Sequence, residues 1–274
     1  MFIKSYSKLN LSLKILKKQT NGLHDISSYN CLINLYDKIH IKKISGQKDK
    51  IIFKGPFKKN IKNTNNSVKD TLNLLRKIGK IKKKYSIVVH KQIPVFSGLG
   101  GGTSNSAHLL KYFYRNKINY KVIDIFEKKI GTDLKLFLYK QSFLKNLKNI
   151  KKINFKYNLN FVLIYPYLKC STKQIYSKFK KKKSRVSDIK NNNNLFQKIV
   201  NKNNDLESIV IQKYPIIKKI LLYLNSQKGC HFSRITGSGS ACFGVFKSRK
   251  LAKEAQKNMK VKFPSFFCAL TKTI

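Results

Sequence analysis

The chain has 274 residues, room for one large domain or two small ones, and its 42% hydrophobic content is that of an ordinary globular protein. Its 59 Lys and Arg against 11 Asp and Glu give a net charge of +48, but the lysines are scattered (Lys17-Lys18, Lys58-Lys59, residues 82–84 and 180–183) rather than gathered in one stripe, and an A- and T-rich coding bias toward Lys, Asn, Ile, Phe and Tyr explains them without a nucleic-acid role. Cys31, Cys170, Cys230, Cys242 and Cys268 form no CxxC pair and no ligand spacing with His, which argues against zinc and disulfides and for a reducing cytoplasm; no run reaches the ~20 apolar residues of a membrane span, and residues 1–13 read as a strand rather than a signal peptide.

Residues 5–15 are rich in strand formers, and Asn21-Gly22 is a turn signal. Residues 29–44 and 50–54 read as further strands. Val68, Leu72, Leu75 and Ile78 recur at helical spacing and predict a helix over 66–78. Over 85–93, Ile87, Val89 and Ile93 alternate with Ser86, His90 and Gln92, as in a half-buried strand. A glycine loop follows, then a helical stripe of Ala107, Leu110, Phe113 and Tyr114. Residues 120–130 form a second helix before Gly131-Thr132-Asp133. Residues 161–165 are a buried strand closed by Pro166, 171–179 are helical, and 180–194, poor in apolar residues, form a surface loop. Residues 206–225 are helical with a break near Pro215. Two strand-like pieces around a glycine turn fill 231–246, a helix covers 251–259, and 266–270 is a closing strand. Strands and helices alternate without regular βαβ spacing, so the fold class is α+β, with a boundary near residue 150 separating domains 1–150 and 151–274.

The chemistry concentrates in Pro94, Val95, Phe96, Ser97, Gly98, Leu99, Gly100, Gly101, Gly102, Thr103 and Ser104, between a strand and a helix. Glycines let backbone N–H groups approach an anion, and the positive end of the helix faces it. The loop is not a Walker A motif, because Thr103 follows Gly102 where a lysine is required, and it is not GxGxxG. Asn105, Ser106 and Ala107 leave the helix start without a carboxylate, while Thr103 and Ser104 are placed to cap it and to reach phosphate or Mg²⁺. A second glycine turn stands at Thr236-Gly237-Ser238-Gly239-Ser240. Carboxylates are few. Asp133, before the apolar run 134–139, is a helix cap or a base, whereas Asp25, Asp37, Asp49, Asp70, Asp188 and Asp205 sit in polar or turn-like contexts.

Together these pieces resemble the GHMP kinase superfamily along nearly the whole length. Ser7-Lys8-Leu9-Asn10-Leu11 is similar to the family's AKxNL segment, Asn21-Gly22-Leu23-His24 to DGYH, residues 93–107 to its ATP loop, Gly131-Thr132-Asp133 to GADVPFF, residues 162–176 to a VSTxxxY-like strand and loop, and residues 235–241 to MTGSGS. The resemblance implies a two-domain fold, with an N-terminal domain like ribosomal protein S5, a C-terminal α/β sandwich and the active site in a cleft between them. It implies a kinase using ATP and Mg²⁺, with Asp133 as general base and Lys8 keeping it ionised. Residues 94–104 would hold ATP. Asn10, His24, Thr172, Tyr176, Gly237, Ser238 and Gly239 would bind the acceptor, His24 at a cytosine edge and Tyr176 stacked on it; no residue is assigned to metal. The implied acceptor is the 2-hydroxyl of a methylerythritol carrying cytidine diphosphate. Another GHMP kinase, acting on homoserine, mevalonate or a sugar, is the alternative, and a basic nucleic-acid binder has the charge as its only support. The expected partner is a small molecule, with no specific nucleic acid and no membrane, and the chain a monomer or weak homodimer. Three positions depart from the family pattern: Leu23 replaces a Tyr, Lys135 a Pro, and Phe96-Ser97 the first glycine of the loop.

Overall fold

The computed structural model describes residues 2–20, 22–59, 61–62, 64–154, 158–179 and 195–274. Asn21 of the expected turn and the expected surface loop over 180–194 lie outside the described residues. Strand β1 (Phe2–Asn10) is followed by β2 (Lys14–Lys18), so the single run expected over 5–15 is two strands. β3 (His24–Ile44) begins with residues buried on both faces and then alternates, which is why only its later part shows period-two patterning. β4 (Lys50–Lys54) leads to helix α1 (Ser67–Lys77), started by the Asn66 side chain, which accepts from the Lys69 amide at 2.9 Å. Then come β5 (Lys84–His90), α2 (Gly101–Phe113), α3 (Tyr120–Ile130) and a 3₁₀ turn (Leu134–Leu138). β6 (Gln141–Leu144) and β7 (Ile150–Lys152) were not foreseen; four and three residues are too short for a sequence pattern. The remainder is β8 (Asn160–Tyr165), α4 (Thr172–Ser177), α5 (Leu195–Val200), α6 (Glu207–Lys213), α7 (Ile216–Asn225), β9 (Cys230–Ile235), β10 (Cys242–Phe246), α8 (Arg249–Lys262) and β11 (Phe267–Lys272). The break expected at Pro215 separates α6 from α7, with Pro215 as the N-cap of α7.

The chain divides into two compact units, each assembled from separate stretches of sequence. The first comprises Met1–Ser7, Leu35–Val95 and Gly100–Tyr139, and the second Lys8–Asn34, Phe96–Leu99 and Lys140–Ile274. In the first unit the later half of β3 pairs antiparallel with β5, Ile39 opposite Val89 and Ile41 opposite Ile87, and β4 pairs parallel with β5. Helices α1 and α2 pack together, and Val68, Leu72, Leu75, Ile87, Val89, Leu109 and Phe126 are fully buried.

In the second unit the early half of β3 pairs with β2 and with β6, and β7 extends β6. A separate antiparallel sheet runs in the order β11-β8-β10-β9, with Leu163 between Ala269 and Phe243. Helix α7 covers β9 and β10 while α8 covers β8 and β11. Their contact stripes, Ile217, Ile220 and Leu224 on α7 and Ala252, Ala255 and Met259 on α8, are buried, giving a helix-on-sheet layer. Buried Arg234 donates to the carbonyls of Leu11 (2.6 Å), Ile199 (2.9 Å) and Val200 (2.8 Å), so one guanidinium satisfies three chain segments.

Candidate active site

In the second unit the two glycine turns are pressed backbone to backbone. Gly98 has φ 84°, and a Cβ there would collide with the Thr236 carbonyl; a Cβ on Gly239 would collide with the Ser97 carbonyl and the Gly98 nitrogen. Glycine is therefore required at both positions by close approach, and at Gly98 by conformation as well. The Ala241 amide donates to the Ser97 carbonyl at 3.1 Å and fixes the register of the turns. The second glycine turn joins the antiparallel strands β9 and β10, and its glycines meet the first loop.

Lys8 and Asn10 lie beside this pair. The Lys8 amide donates to the Leu99 carbonyl at 3.1 Å, and its Nζ donates to Asn10 Oδ1. The Asn10 amide donates to Thr236 Oγ1 at 3.1 Å, and its side-chain Nδ2 donates to Asn30 Oδ1 at 2.7 Å and to Ser28 Oγ at 3.0 Å. A Cβ on Gly237 would stand 3.3 Å from Asn10 Oδ1 and 3.5 Å from Lys8 Nζ. Lys8 is only 3% exposed, a buried amine rather than one more surface lysine. On the far side of the turn, Ser238 Oγ donates to Thr172 Oγ1 at 2.9 Å and Ser240 Oγ to the Leu168 carbonyl at 2.5 Å. Asn204 Nδ2 donates to the carbonyls of Ile235 (3.1 Å) and Gly237 (2.8 Å); sequence reasoning missed this brace because nothing marks one asparagine among many. The His24 and Tyr176 rings lie 5.2 Å apart with an interplanar angle of 36°, so two residues 152 positions apart form one aromatic pair. Burial, with help from the Lys18 charge, lowers the pKa of His24, so its ring is neutral at pH 7 and presents one donor and one acceptor. Leu23 is 44% exposed.

The first unit holds Pro94, Val95, Asp133 and residues 100–104. Helix α2 starts at Gly101 from Gly100, which is left-handed at φ 72° and makes no side-chain cap. This corrects the expected cap: Thr103 and Ser104 are inside the first turn. Ser104 is hydrogen-bonded within the protein. Its amide donates to the Gly100 carbonyl at 2.8 Å, its Oγ donates to the Tyr6 carbonyl at 2.5 Å, and it is fully buried. Gly101, Gly102 and Thr103, by contrast, have N–H groups without an intrahelical acceptor, at a helix end with no acidic residue in its first turn.

Asp37 needs the account the sequence did not grant it. It is fully buried, pairs with the buried Lys91 ammonium, and accepts from the amides of Gln92 (2.7 Å) and Ile93 (2.9 Å) and from Asn105 Nδ2 (3.0 Å). Lys91 also donates to Asn105 Oδ1 at 3.1 Å, and a Cβ on Gly101 would stand 3.3 Å from its Nζ. This cluster ties the end of β5 to the first turns of α2.

Asp133 stands at the head of the 3₁₀ turn, part-exposed, and its side chain makes no capping bond there. The turn is held on its inner side by buried Leu134, Leu136 and Phe137. From α2, Lys111 Nζ donates to the Phe137 carbonyl at 2.6 Å, and burial lowers its pKa to about 8. Lys135, the residue in place of the family's proline, pairs with Glu127 Oε2 at 3.1 Å. Burial raises the pKa of Glu127 while Lys135 opposes the shift.

Among the described residues no group of three His, Cys, Asp or Glu could hold a metal ion, and no helix is long and apolar enough to cross a membrane.

Residues 66–135 match the family model for the GHMP kinase N-terminal domain, and residues 185–265 the model for the GHMP kinase C-terminal domain. A 4-diphosphocytidyl-2-C-methyl-D-erythritol kinase of Pelagibacter ubique is 37% identical, over 99% of this chain and 98% of the relative. The enzyme of the same name from Thermodesulfovibrio yellowstonii is 29% identical, over 99% and 97%. Among solved structures, a 4-(cytidine 5′-diphospho)-2C-methyl-D-erythritol kinase has a TM-score of 0.77 at 19% identity, covering 100% of both chains. A homoserine kinase from Cytophaga hutchinsonii has a TM-score of 0.67 at 16% identity, covering 100% of this chain and 94% of its own.

Proposed function

As the chain belongs to the GHMP kinases, and along its whole length to their 4-diphosphocytidyl-2-C-methyl-D-erythritol kinases, we propose how its residues divide the phosphorylation of that alcohol's 2-hydroxyl, with ATP as donor, in isoprenoid precursor synthesis. The observation that carries the reading is the Gly98–Gly239 backbone contact, with Lys8 and Asn10 beside the same turn.

Residues 94–103 receive the donor's phosphates, the N–H groups of Gly101, Gly102 and Thr103 supplying partial positive charge at an end no carboxylate neutralises. When bound, Mg²⁺ would supply charge neutralisation to the donor's phosphates, and no residue is assigned to hold it. Asp133 takes the acceptor's proton, and Lys8 supplies positive charge to the reacting hydroxyl, while Asn10 holds that ammonium in place. Catalysis of this kind is mostly positioning and electrostatics. Thr172 and residues 237–239 line the acceptor, and His24 with Tyr176 reads the cytosine. The split into 1–150 and 151–274 stands as a proposal about the family's two domains, in line with the model matches at 66–135 and 185–265. A cytoplasmic monomer or weak homodimer without specific nucleic-acid or membrane partners completes the reading.

Asp133→Asn should abolish turnover, with a fall of about 10³-fold or more, while leaving the thermal transition in place. Near-normal turnover in that variant removes Asp133 from the role. An acceptor panel separates the alternative: an alcohol lacking cytidine, used at a comparable rate, rejects the cytidine-linked acceptor.

A further inference from the structure

Phe96 has φ 60°, a left-handed conformation that bulky side chains avoid, in a loop whose other such bends fall on Gly98 and Gly100. Packing does not account for it, since the ring is 52% exposed. The conformation is held from the next residue: Ser97 is buried, and its carbonyl is bound by the Ala241 amide. The ring has a cation for a neighbour, with Lys169 Nζ 5.7 Å from its centroid. Lys169 is itself exposed, on a segment fixed to the same glycine turn. The Leu168 carbonyl takes the Ser240 hydroxyl, the Lys169 carbonyl takes the Tyr214 hydroxyl at 3.1 Å, and Thr172 three residues on meets Ser238. A strained, half-exposed ring and an exposed ammonium thus share the rim of the turn assigned to the acceptor.

We infer that Phe96 and Lys169 are specificity residues for the nucleoside diphosphate end of the acceptor, the Lys169 ammonium pairing with its diphosphate and the Phe96 ring walling that contact from water. A nucleoside diphosphate offers two features, concentrated negative charge and a flat apolar base, and a cation beside an aromatic ring complements both. Phe96 replaces a glycine of the family pattern, and Leu23 replaces a ring of it, so aromatic surface is gained at one edge of the site and lost at another. The inference rests on the cytidine-linked acceptor proposed above.

The test is calorimetric titration of cytidine 5′-diphosphate and of cytidine into the parent, Phe96→Gly and Lys169→Met, alongside the ATP KM and the melting temperature. Phe96→Gly should weaken cytidine 5′-diphosphate about tenfold, yet hold or raise the melting temperature, because glycine adopts φ 60° freely. Lys169→Met should weaken cytidine 5′-diphosphate about tenfold and leave cytidine unchanged. The ATP KM should stay within twofold in Lys169→Met, whose residue lies outside the donor loop. Either variant retaining the parent's affinity within twofold removes its residue from the role, and an equal loss for ATP in Lys169→Met overturns the inference. A parent that binds no cytidine 5′-diphosphate rejects the acceptor reading itself, a result distinct from a parent that binds and variants that bind equally well.

Discussion

His108 shows how a single residue acquires a property its neighbours in sequence do not suggest. It lies one helical turn after Ser104, and its Nδ1–H donates to the Ser104 carbonyl at 2.9 Å. Burial, with the Lys111 charge as a second cause, lowers its pKa to about 4, and the Ser104 bond only partly opposes this. The unfolded chain therefore binds a proton near pH 6.5 that the folded chain refuses until about pH 4. Stability falls as pH drops through that window, because the unfolded state there holds more protons. Against His108→Asn, the parent should lose about 2 kcal/mol more between pH 6.5 and 4.5, read from urea midpoints. Parallel pH profiles would remove His108 as the cause. At this scale the sequence was informative about chemistry and silent about burial. Asp133 and Lys8 were singled out because the segments around them are distinctive, and their roles stand as proposals. Asp37, in an ordinary stretch of strand, was passed over, because only the folded chain brings Lys91 and two amides to it.

At the scale of the element, α2 and the 3₁₀ turn act as a linked pair. The first turn of α2 carries the glycines, and Lys111, about 15 Å along the same rod, holds the Phe137 carbonyl of the turn that begins after Asp133. A 3₁₀ turn has poor internal hydrogen bonding and depends on outside braces. Lys111 and the Lys135–Glu127 pair supply two in a place where the family pattern has a proline. On the role proposed for Asp133, Lys111 is its positioning residue. Lys111→Met should lower kcat about tenfold with the KM of both substrates within twofold, and Lys111→Arg, which restores a donor, should recover most of it. A change in KM alone, or equal loss in both variants, would make Lys111 a packing residue only. The elements themselves were largely legible. α1 and α3 follow from apolar spacing, β4 and β8 from strand formers, and the α6–α7 break from Pro215. The start of α2 was misread by three or four residues, because Thr and Ser are common caps and a left-handed glycine start has no side-chain signal. β6 and β7 escaped because they are stabilised by pairing with β3 and with each other rather than by their own composition.

Across the whole molecule the charge of +48 is the property that acts at a distance. Scattered rather than clustered lysines give a diffuse field, which attracts any polyanion weakly and favours none. Binding to RNA or heparin should fall steeply with salt, by about 10³-fold or more between 50 and 200 mM if several phosphates are neutralised, with no sequence preference. Tight, sequence-selective binding at physiological salt would contradict this and restore a nucleic-acid role.

The sequence by itself determined the α+β class, the order of most elements, the glycine loop between a strand and a helix, and the short roster of candidate acid, lysine and glycine residues. Those follow from local causes: periodicity, the conformational freedom of glycine and the rarity of carboxylates in this chain. Only tertiary structure decided which of them meet. Gly98 against Gly239, Asn10 against Thr236, and His24 against Tyr176 join residues more than 100 positions apart, through backbone approach and ring contact that no local pattern encodes. Tertiary structure likewise set the Ser104 hydroxyl on a carbonyl of β1. It also put a strained phenylalanine on the rim of the acceptor turn, since backbone conformation is set by what clamps the chain on either side.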